Sequence, residues 1–261
     1  MDLEIAKEII VDFIRKKTED SGVSGAVVGI SGGIDSALTA YLTVEALGNK
    51  NVLGLLLPEP SLTLAEDILD ATEVVTKLGI EYKTIDISEV LKSFIGAIPD
   101  SDKTSQLANG NLKARIRMSI LYYYANLLNR MVIGTGNKTE IILGYYTKYG
   151  DGGVDVEPIG DLYKTEVQEL SRIVGVPEKI ITKAPSAGLW AGQTDEEELG
   201  ISYAVVDKLL SFLLEEKSTE FINNNLGISE EQISSVIHRI NVNLHKHQVP
   251  PVAQLDEIRK S

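Results

Sequence analysis

Apolar residues recur at helical spacing from the start of the chain. Ile5, Ile9, Ile10, Phe13 and Ile14 lie within Leu3 to Lys17, which predicts an amphipathic first helix ending near Ser21-Gly22. Gly25 to Ile30 (GAVVGI) is a short apolar run that stops at Ser31-Gly32-Gly33. From Asp35 the period becomes helical, with Leu38, Tyr41 and Leu42 inward and Gly48 as the stop. Asn51 to Leu57 (NVLGLLL) reads as a buried strand, Thr63 to Leu78 as a helix and Glu81 to Ile87 as a third strand. Leu112 to Asn129 then reads as helix and Met131 to Thr135 as strand. Alternating helices and nearly continuous apolar strands predict an α/β fold, with a parallel sheet covered on both faces.

The second half is less regular. Lys138 to Gly160, with its glycines, Tyr145, Tyr146, Tyr149 and GDGG, is expected to be loops around an irregular connection. Thr165 to Val174 reads as a helix, and Lys183 to Gln193 as a loop. Thr194-x-x-Glu197 matches a capping box opening a helix through Leu214, and a further helix is expected around Glu230 to Asn243. Without repeats or a linker, residues 1 to 261 are expected to form one domain with extra C-terminal helices.

Composition narrows the chemistry. The 261 residues contain no cysteine, which excludes disulfides, cysteine-held metal and a catalytic thiol within them. Thirty-eight acidic against 25 basic residues give a formal charge of -13, which disfavours nucleic acid or an anionic membrane as a partner. The first ten residues, MDLEIAKEII, lack a basic n-region and an unbroken apolar stretch, and no run approaches about 18 apolar residues, so a cytoplasmic protein is expected.

The strongest local signal is GISGGIDSA, Gly29 to Ala37, between a buried strand and a helix. Glycines allow close backbone approach, and the free N–H groups of the helix start favour an anion. The string lacks the Gly-Lys-Ser/Thr ending of a P-loop and does not fit G-x-G-x-x-G. A carboxylate, Asp35, within a phosphate loop is repulsive unless a divalent cation intervenes. The competing reading is a plain strand-to-helix turn capped by Asp35.

Through this Ser-Gly-Gly-x-Asp-Ser string the chain resembles the N-type ATP pyrophosphatases. NLKARIRM (Asn111 to Met118), GTGNKTE (Gly134 to Glu140), GYYTKYGDGGVDVEPIGDLYKTEV (Gly144 to Val167) and PSAGLWAGQTDEEELG (Pro185 to Gly200) make it similar to ammonia-dependent NAD synthetases over about Ile9 to Pro251. The resemblance implies a Rossmann-like, adenine nucleotide alpha hydrolase-like fold. It also implies a ligase reaction in which ATP adenylates the nicotinate carboxylate of deamido-NAD and ammonia displaces AMP, giving NAD.

Matched positions imply the site. Gly29, Ile30, Ser31, Gly32, Gly33, Ile34, Asp35 and Ser36 would hold ATP, joined by Thr135, Lys164 and Ser186. Asp35 and Glu140 would be magnesium ligands, and Asp35, Glu140 and Lys164 the catalytic set. Arg115, Lys148, Asp155, His245 and Lys246 would bind deamido-NAD, and Arg115, Lys148, Lys164 and Lys246 would make up a small basic site in an acidic protein.

Other residues allow two readings. Lys183 is either a further positive charge on ATP or a solvated loop lysine. Arg117 is expected to face away from Arg115 as a structural or surface charge, and His238 to lie on a helix surface. The tyrosines near Lys148 either stack on a ring or pack in the core, and turn chemistry accounts for Asp151. The chain departs from the family pattern at Gly188, where an acidic residue is common, and at His245-Lys246-His247, where a lysine-arginine pair is frequent.

The resemblance further implies a homodimer with deamido-NAD near the interface, and the lack of a thiol implies ammonia supplied from outside. Rival readings are another adenylating amidotransferase, a tRNA-thiolating enzyme, which the missing cysteine and the acidic charge oppose, or a nucleotide sensor without turnover. Two metal ligands favour chemistry over sensing.

Overall fold

The computed structural model describes residues 1–99, 105–186 and 198–255. Gly188 and the start expected at Thr194 lie outside these residues. The chain begins with α1 (Leu3–Asp20), whose first turn is capped by the Asp2 carboxylate accepting from the Glu4 and Ile5 N–H groups. The helix closes at Ser21, followed by Gly22 at φ 65°. Its inward stripe is Ala6, Ile10, Val11 and Ile14. Ile5 and Ile9, expected inside, are exposed, because the buried stripe is narrower than the apolar content suggests.

The sheet is built by β1 (Ala26–Gly29), β2 (Val52–Leu56), β3 (Glu81–Thr84) and β4 (Met131–Ile133), all parallel in the order β3-β2-β1-β4. Val27 pairs with Leu53 on one side and Val132 on the other. The central strands are buried on both faces, as their unbroken apolar sequence requires. β3 is one of the two terminal strands, and its side chains are mostly exposed, whereas β4 at the other end is buried.

Between the strands run α2 (Ile34–Leu47), α3 (Ala65–Leu78), α4 (Ser88–Gly96) and α5 (Gln106–Leu128). α4 has no counterpart in the sequence reading. α5 starts six residues earlier than expected, with the Ser105 hydroxyl accepting the Ala108 N–H. α1, α2, α3 and α7 (Lys164–Val174) cover one face of the sheet, around Ile14, Leu38, Leu42, Ile133 and Leu170. α4 and α5 cover the other, around Val27, Leu53, Leu55 and Val132.

Beyond β4 the chain forms α6 (Lys138–Leu143) and, after α7, α8 (Glu178–Ile181), α9 (Tyr203–Leu214), α10 (Thr219–Leu226) and α11 (Glu230–Asn243). The six-residue α6 corrects the expectation of loops over 138–160. It is too short for a hydrophobic period, yet Asn137 and Glu140 form a capping box at its start. The helix expected through Leu214 is, among the described residues, interrupted at Gly200 (φ 71°), and α9 starts after Ser202. α6, α9, α10 and α11 share a third core of Leu143, Val206, Leu210, Ile222 and Ile233. No helix among the described residues is long and apolar enough to cross a membrane.

The strand order reverses direction between β1 and β4. Ligands of open parallel sheets bind at the carboxyl ends of the strands flanking such a switch point. The loops after β1 and β4 carry the GISGGIDSA and GTGNKTE strings.

Close backbone packing at the start of β1 gives a test. A Cβ on Gly25 would lie 2.1 Å from the Asn51 carbonyl oxygen, whereas one on Gly96, at the end of α4, meets nothing within 4 Å. Gly25→Ala is expected to destabilise the protein by about 1–3 kcal/mol, and Gly96→Ala to leave it unchanged or raise stability by up to about 1 kcal/mol. Chemical denaturation of the two variants checks both, and equal effects would contradict this packing.

Candidate active site

The loop after β1 is shaped by backbone geometry. Gly32 has φ 87°, and a Cβ there would lie 2.3 Å from the Asp67 carbonyl oxygen, so only glycine fits between the loop and α3. Gly33, extended at φ -89° and ψ 162°, starts α2 without a side-chain cap, leaving the first-turn N–H groups facing the loop. The two serines organise the remainder. Ser36 Oγ donates to the Gly33 carbonyl (2.9 Å) and accepts from the Ser31 N–H (3.2 Å), while Ser31 Oγ accepts from the Gly33 N–H (3.2 Å). The hydroxyls themselves are 3.0 Å apart. The result is a cradle of N–H groups at a helix N-terminus, which suits phosphate oxygens.

Three helix starts converge beside it. Asp35 lies in the first turn of α2, Glu140 in that of α6, and Lys164 opens α7. The Lys164 ammonium, 2% exposed, donates to Asp35 Oδ2 and lies 3.4 Å from Glu140 Oε1. A buried ammonium requires such partners, because desolvating it alone costs several kcal/mol. It also lies 5.4 Å from the centre of the Tyr203 ring.

Asn137 ties the two loops together. Its Nδ2 donates to Asp35 Oδ1 (2.8 Å), its Oδ1 accepts the Glu140 N–H (3.0 Å), and the Glu140 carboxylate accepts the Asn137 N–H (3.4 Å). Behind them, buried Asp207 of α9 accepts the Thr139 hydroxyl (2.6 Å) and the Thr165 N–H (2.8 Å), and Thr139 Oγ1 accepts the Lys164 N–H (3.0 Å). The structure thus brings Asp35, Glu140 and Lys164 together, as expected from sequence, and adds Asn137, Thr139 and Asp207.

Asp35 and Glu140 are each about one-fifth exposed beside the phosphate loop, and no group of three or more His, Cys, Asp or Glu among the described residues forms a complete metal cage. Two carboxylates open to a phosphate loop suit Mg²⁺, which takes one or two carboxylates and completes its shell with phosphate oxygens and water.

Thr135 follows β4 in the adjoining loop. The Gly136 N–H donates to Glu157 Oε2 at 2.9 Å, and the Glu157 carboxylate fills the space that a Cβ at Gly134 would need. Burial pushes the Glu157 carboxyl up to about 8, against the Gly136 hydrogen bond and reinforced by Asp151. At neutral pH it is mostly protonated. Sequence reasoning missed Glu157, since nothing local marks it as buried.

Arg115, Lys148, His245 and Lys246 form a second group. Arg115 Nη2 donates to the Lys148 carbonyl (3.3 Å), Lys148 Nζ to the His245 carbonyl, and Lys246 Nζ to the carbonyls of Gly144 and Tyr146 (2.7 Å for the latter). These bonds stitch the tail to the 144–149 loop. Between them is an open cleft of about 240 Å³, lined by Tyr146, Lys148, Tyr149, Lys246 and His247. Tyr146 meets the His247 ring edge-on at 6.2 Å, while the Tyr145 hydroxyl donates to Glu198. Burial and the neighbouring Lys246 and His245 lower the His247 pKa.

Asp155 has a different setting. It accepts the Tyr122 hydroxyl (2.9 Å) and the Val132 N–H (2.7 Å), which joins α5 to β4. Ser186 is exposed, three residues beyond Lys183, whose ammonium reaches Asp67 and Asp70 of α3. Arg117 is part-buried, its Nε donating to the Leu57 carbonyl (2.9 Å), so it is structural rather than a surface charge. Asp151 accepts the Thr147 N–H (2.9 Å) as turn chemistry requires, and His238 is exposed on α11.

The parallel sheet, its switch point and a loop of N–H donors flanked by an Asp–Glu–Lys cluster define a nucleotide-phosphate-binding α/β protein. The NAD synthase family model matches residues 6–250. The chain belongs to the NAD synthase family. It is 62% identical to an NH(3)-dependent NAD(+) synthetase of Methanosarcina acetivorans, over 98% of this chain and 100% of the relative. It is 58% identical to one of Methanococcoides burtonii, over 99% and 98%. Among solved structures it superposes on an NMN synthetase from Francisella tularensis with TM-score 0.86 at 34% identity, covering 98% of this chain and all of that one. An NH3-dependent NAD synthetase from Campylobacter jejuni gives 0.82 at 35%, covering 97% and all of that chain.

The Glu157 carboxyl gives a pH test. Its folded pKa lies above its unfolded one, so its contribution to stability is fully present below about 4.5 and is lost as pH rises through about 8. Glu157→Gln, which preserves shape, is expected to remove that component, leaving a flatter melting temperature between pH 5 and 9 than the parent. Parallel curves for the two proteins would contradict the burial of this carboxyl.

Proposed function

We infer that the chain is an ammonia-dependent NAD⁺ synthetase, a ligase that uses ATP to convert deamido-NAD⁺ and ammonia into NAD⁺, AMP and pyrophosphate. The observation that carries the assignment of roles is the meeting of Asp35, Glu140 and Lys164 at the N–H cradle after β1. High identity to synthetases over nearly the full length supports the reaction.

In this reading ATP lies with its phosphates on Gly29 to Ser36, where the N–H groups of the loop and of α2 receive their oxygens. Lys164 stands at the transferring phosphorus, held by two carboxylates so that its ammonium cannot swing away. Thr135 and Ser186 contact the nucleotide from the two adjoining loops. Asp35 and Glu140 would hold Mg²⁺, which when bound neutralises phosphate charge. The nicotinate carboxylate oxygen attacks the α-phosphorus and the bond to pyrophosphate breaks. Ammonia then adds to the acyl carbon, loses a proton, and AMP leaves with the carboxylate oxygen.

Neither step needs a side-chain nucleophile. The protein's work is alignment, charge neutralisation and exclusion of water from the adenylate. Arg115, Lys148, His245 and Lys246 line the deamido-NAD side, and Asp155 acts there through its hold on β4. The apolar side chains exposed on α5, including Tyr123 and Leu127, support a homodimer. The chain would work as a cytoplasmic enzyme, and the absence of cysteine from its 261 residues supports free ammonia as the nitrogen source.

The likeness to an NMN synthetase favours one alternative substrate, nicotinate mononucleotide, which carries the same carboxylate on a smaller molecule. Purified protein with ATP, Mg²⁺ and ammonium is offered deamido-NAD⁺ or nicotinate mononucleotide in parallel. NAD⁺, AMP and pyrophosphate in equal amounts, with the dinucleotide used at the higher kcat/KM, are expected. Preference for the mononucleotide would move the assignment to an NMN-forming enzyme, and no AMP with either would refute ligase activity. Asp35→Asn and Glu140→Gln are each expected to lower kcat at least about 100-fold at temperatures where the variant is still folded, and also to lower the melting temperature, because each removes a partner of the buried Lys164. Unchanged turnover in either variant would remove that residue from the metal pair.

A further inference from the structure

Lys183 lies outside the residues given roles above, yet its ammonium sits directly behind the phosphate loop. It is 3.4 Å from the Gly32 carbonyl oxygen, 3.0 Å from Asp67 Oδ1 and bonded to Asp70 Oδ2. Asp70 is fully buried, and its other oxygen pairs with Lys179 at 2.7 Å. Lys179, half-exposed, instead reaches out to Glu73 at 2.8 Å. One carboxylate of α3 therefore anchors two lysines, of which Lys183 continues to the loop.

The contact bears on a single peptide plane. In a trans peptide the carbonyl and the following N–H point in opposite directions. Drawing the Gly32 carbonyl toward Lys183 and α3 turns the Gly33 N–H the other way, where it donates to Ser31 Oγ at 3.2 Å. That N–H belongs to the N-cap residue of α2, and its bond holds the Ser31 hydroxyl in place within the loop. Neither Gly32 nor Gly33 has a Cβ, so side-chain sterics do not hold this plane against a flip.

We propose that Lys183, held by Asp67 and Asp70, is a positioning residue that locks the Gly32–Gly33 peptide in the orientation that keeps its N–H on Ser31 Oγ and so fixes the shape of the nucleotide-phosphate loop. The lysine acts from behind the loop, through the backbone, so its loss weakens ATP binding while leaving the reacting groups in place. This inference rests on the nucleotide reading of the loop given above.

The test compares Lys183→Met with Lys179→Met. Both break an ion pair to Asp70, but only the first releases Gly32. Lys183→Met is expected to raise KM for ATP about tenfold, the worth of one charge-assisted contact, with KM for deamido-NAD⁺ and kcat at saturating ATP close to the parent. Lys179→Met is expected to keep the parent's ATP dependence even where its melting temperature falls.

Unchanged KM for ATP in Lys183→Met, or an equal rise in Lys179→Met, overturns the proposal, because a merely structural ion pair treats the two alike. Should Lys183→Met fail to fold, Asp67→Asn, which keeps the Asp70 pair, takes its place: a several-fold rise in KM for ATP supports the lock, and no rise overturns it. Calorimetric titration with α,β-methylene-ATP reads the same loss without turnover. Should the parent make no NAD⁺, the functional reading fails, while the titration still decides the role of Lys183.

Discussion

Burying one ammonium among helix starts is the constraint around which the site is built. Lys164 is 2% exposed and opens α7, a helix end whose dipole disfavours a positive charge. Its burial is tenable because Asp35 and Glu140, each at the N-terminus of another helix, are brought to it. Those carboxylates in turn sit where helix dipoles favour anions. Three helices from separate parts of the chain are thereby tied to the carboxyl edge of the sheet. Removing one partner would strand buried charge, a cost of about 3–5 kcal/mol, comparable to the marginal stability of a whole domain.

The same arrangement reconciles the proposed polyphosphate site with a net charge of -13. The N–H cradle supplies donors without formal charge, the carboxylates are offset by Lys164, and Glu157 at the loop after β4 is held mostly protonated by burial. The remaining cations, Arg115, Lys148 and Lys246, are gathered by backbone carbonyls of the 144–149 loop and the tail. Local geometry therefore outweighs net charge, whose long-range part salt screens within about 10 Å.

Much of this was legible in the residues. The four strands and most of the principal helices follow from apolar periodicity, and Asp35, Glu140 and Lys164 from their motifs. α6 escaped because six residues are too few to show a period, although its Asn137-x-x-Glu140 cap was written in the sequence. Ile5 and Ile9 misled because apolar residues on a surface helix need not face the core. Asp207, Glu157 and the Asp67–Asp70–Lys183 lock were invisible for a different reason. Each acts across 21 to 116 residues of chain, and only tertiary contact makes an ordinary acid or lysine a support for the site.

In the proposed reaction the carboxylate oxygen of the pyridine substrate attacks the α-phosphorus of ATP at this loop. This attack is tested most directly with deamido-NAD⁺ carrying ¹⁸O in its nicotinate carboxylate, turned over with ATP and ammonium, and mass analysis of the nucleotide products. One ¹⁸O is expected in the phosphate of each AMP and none in pyrophosphate. Unlabelled AMP, or label in ADP or inorganic phosphate, would contradict it.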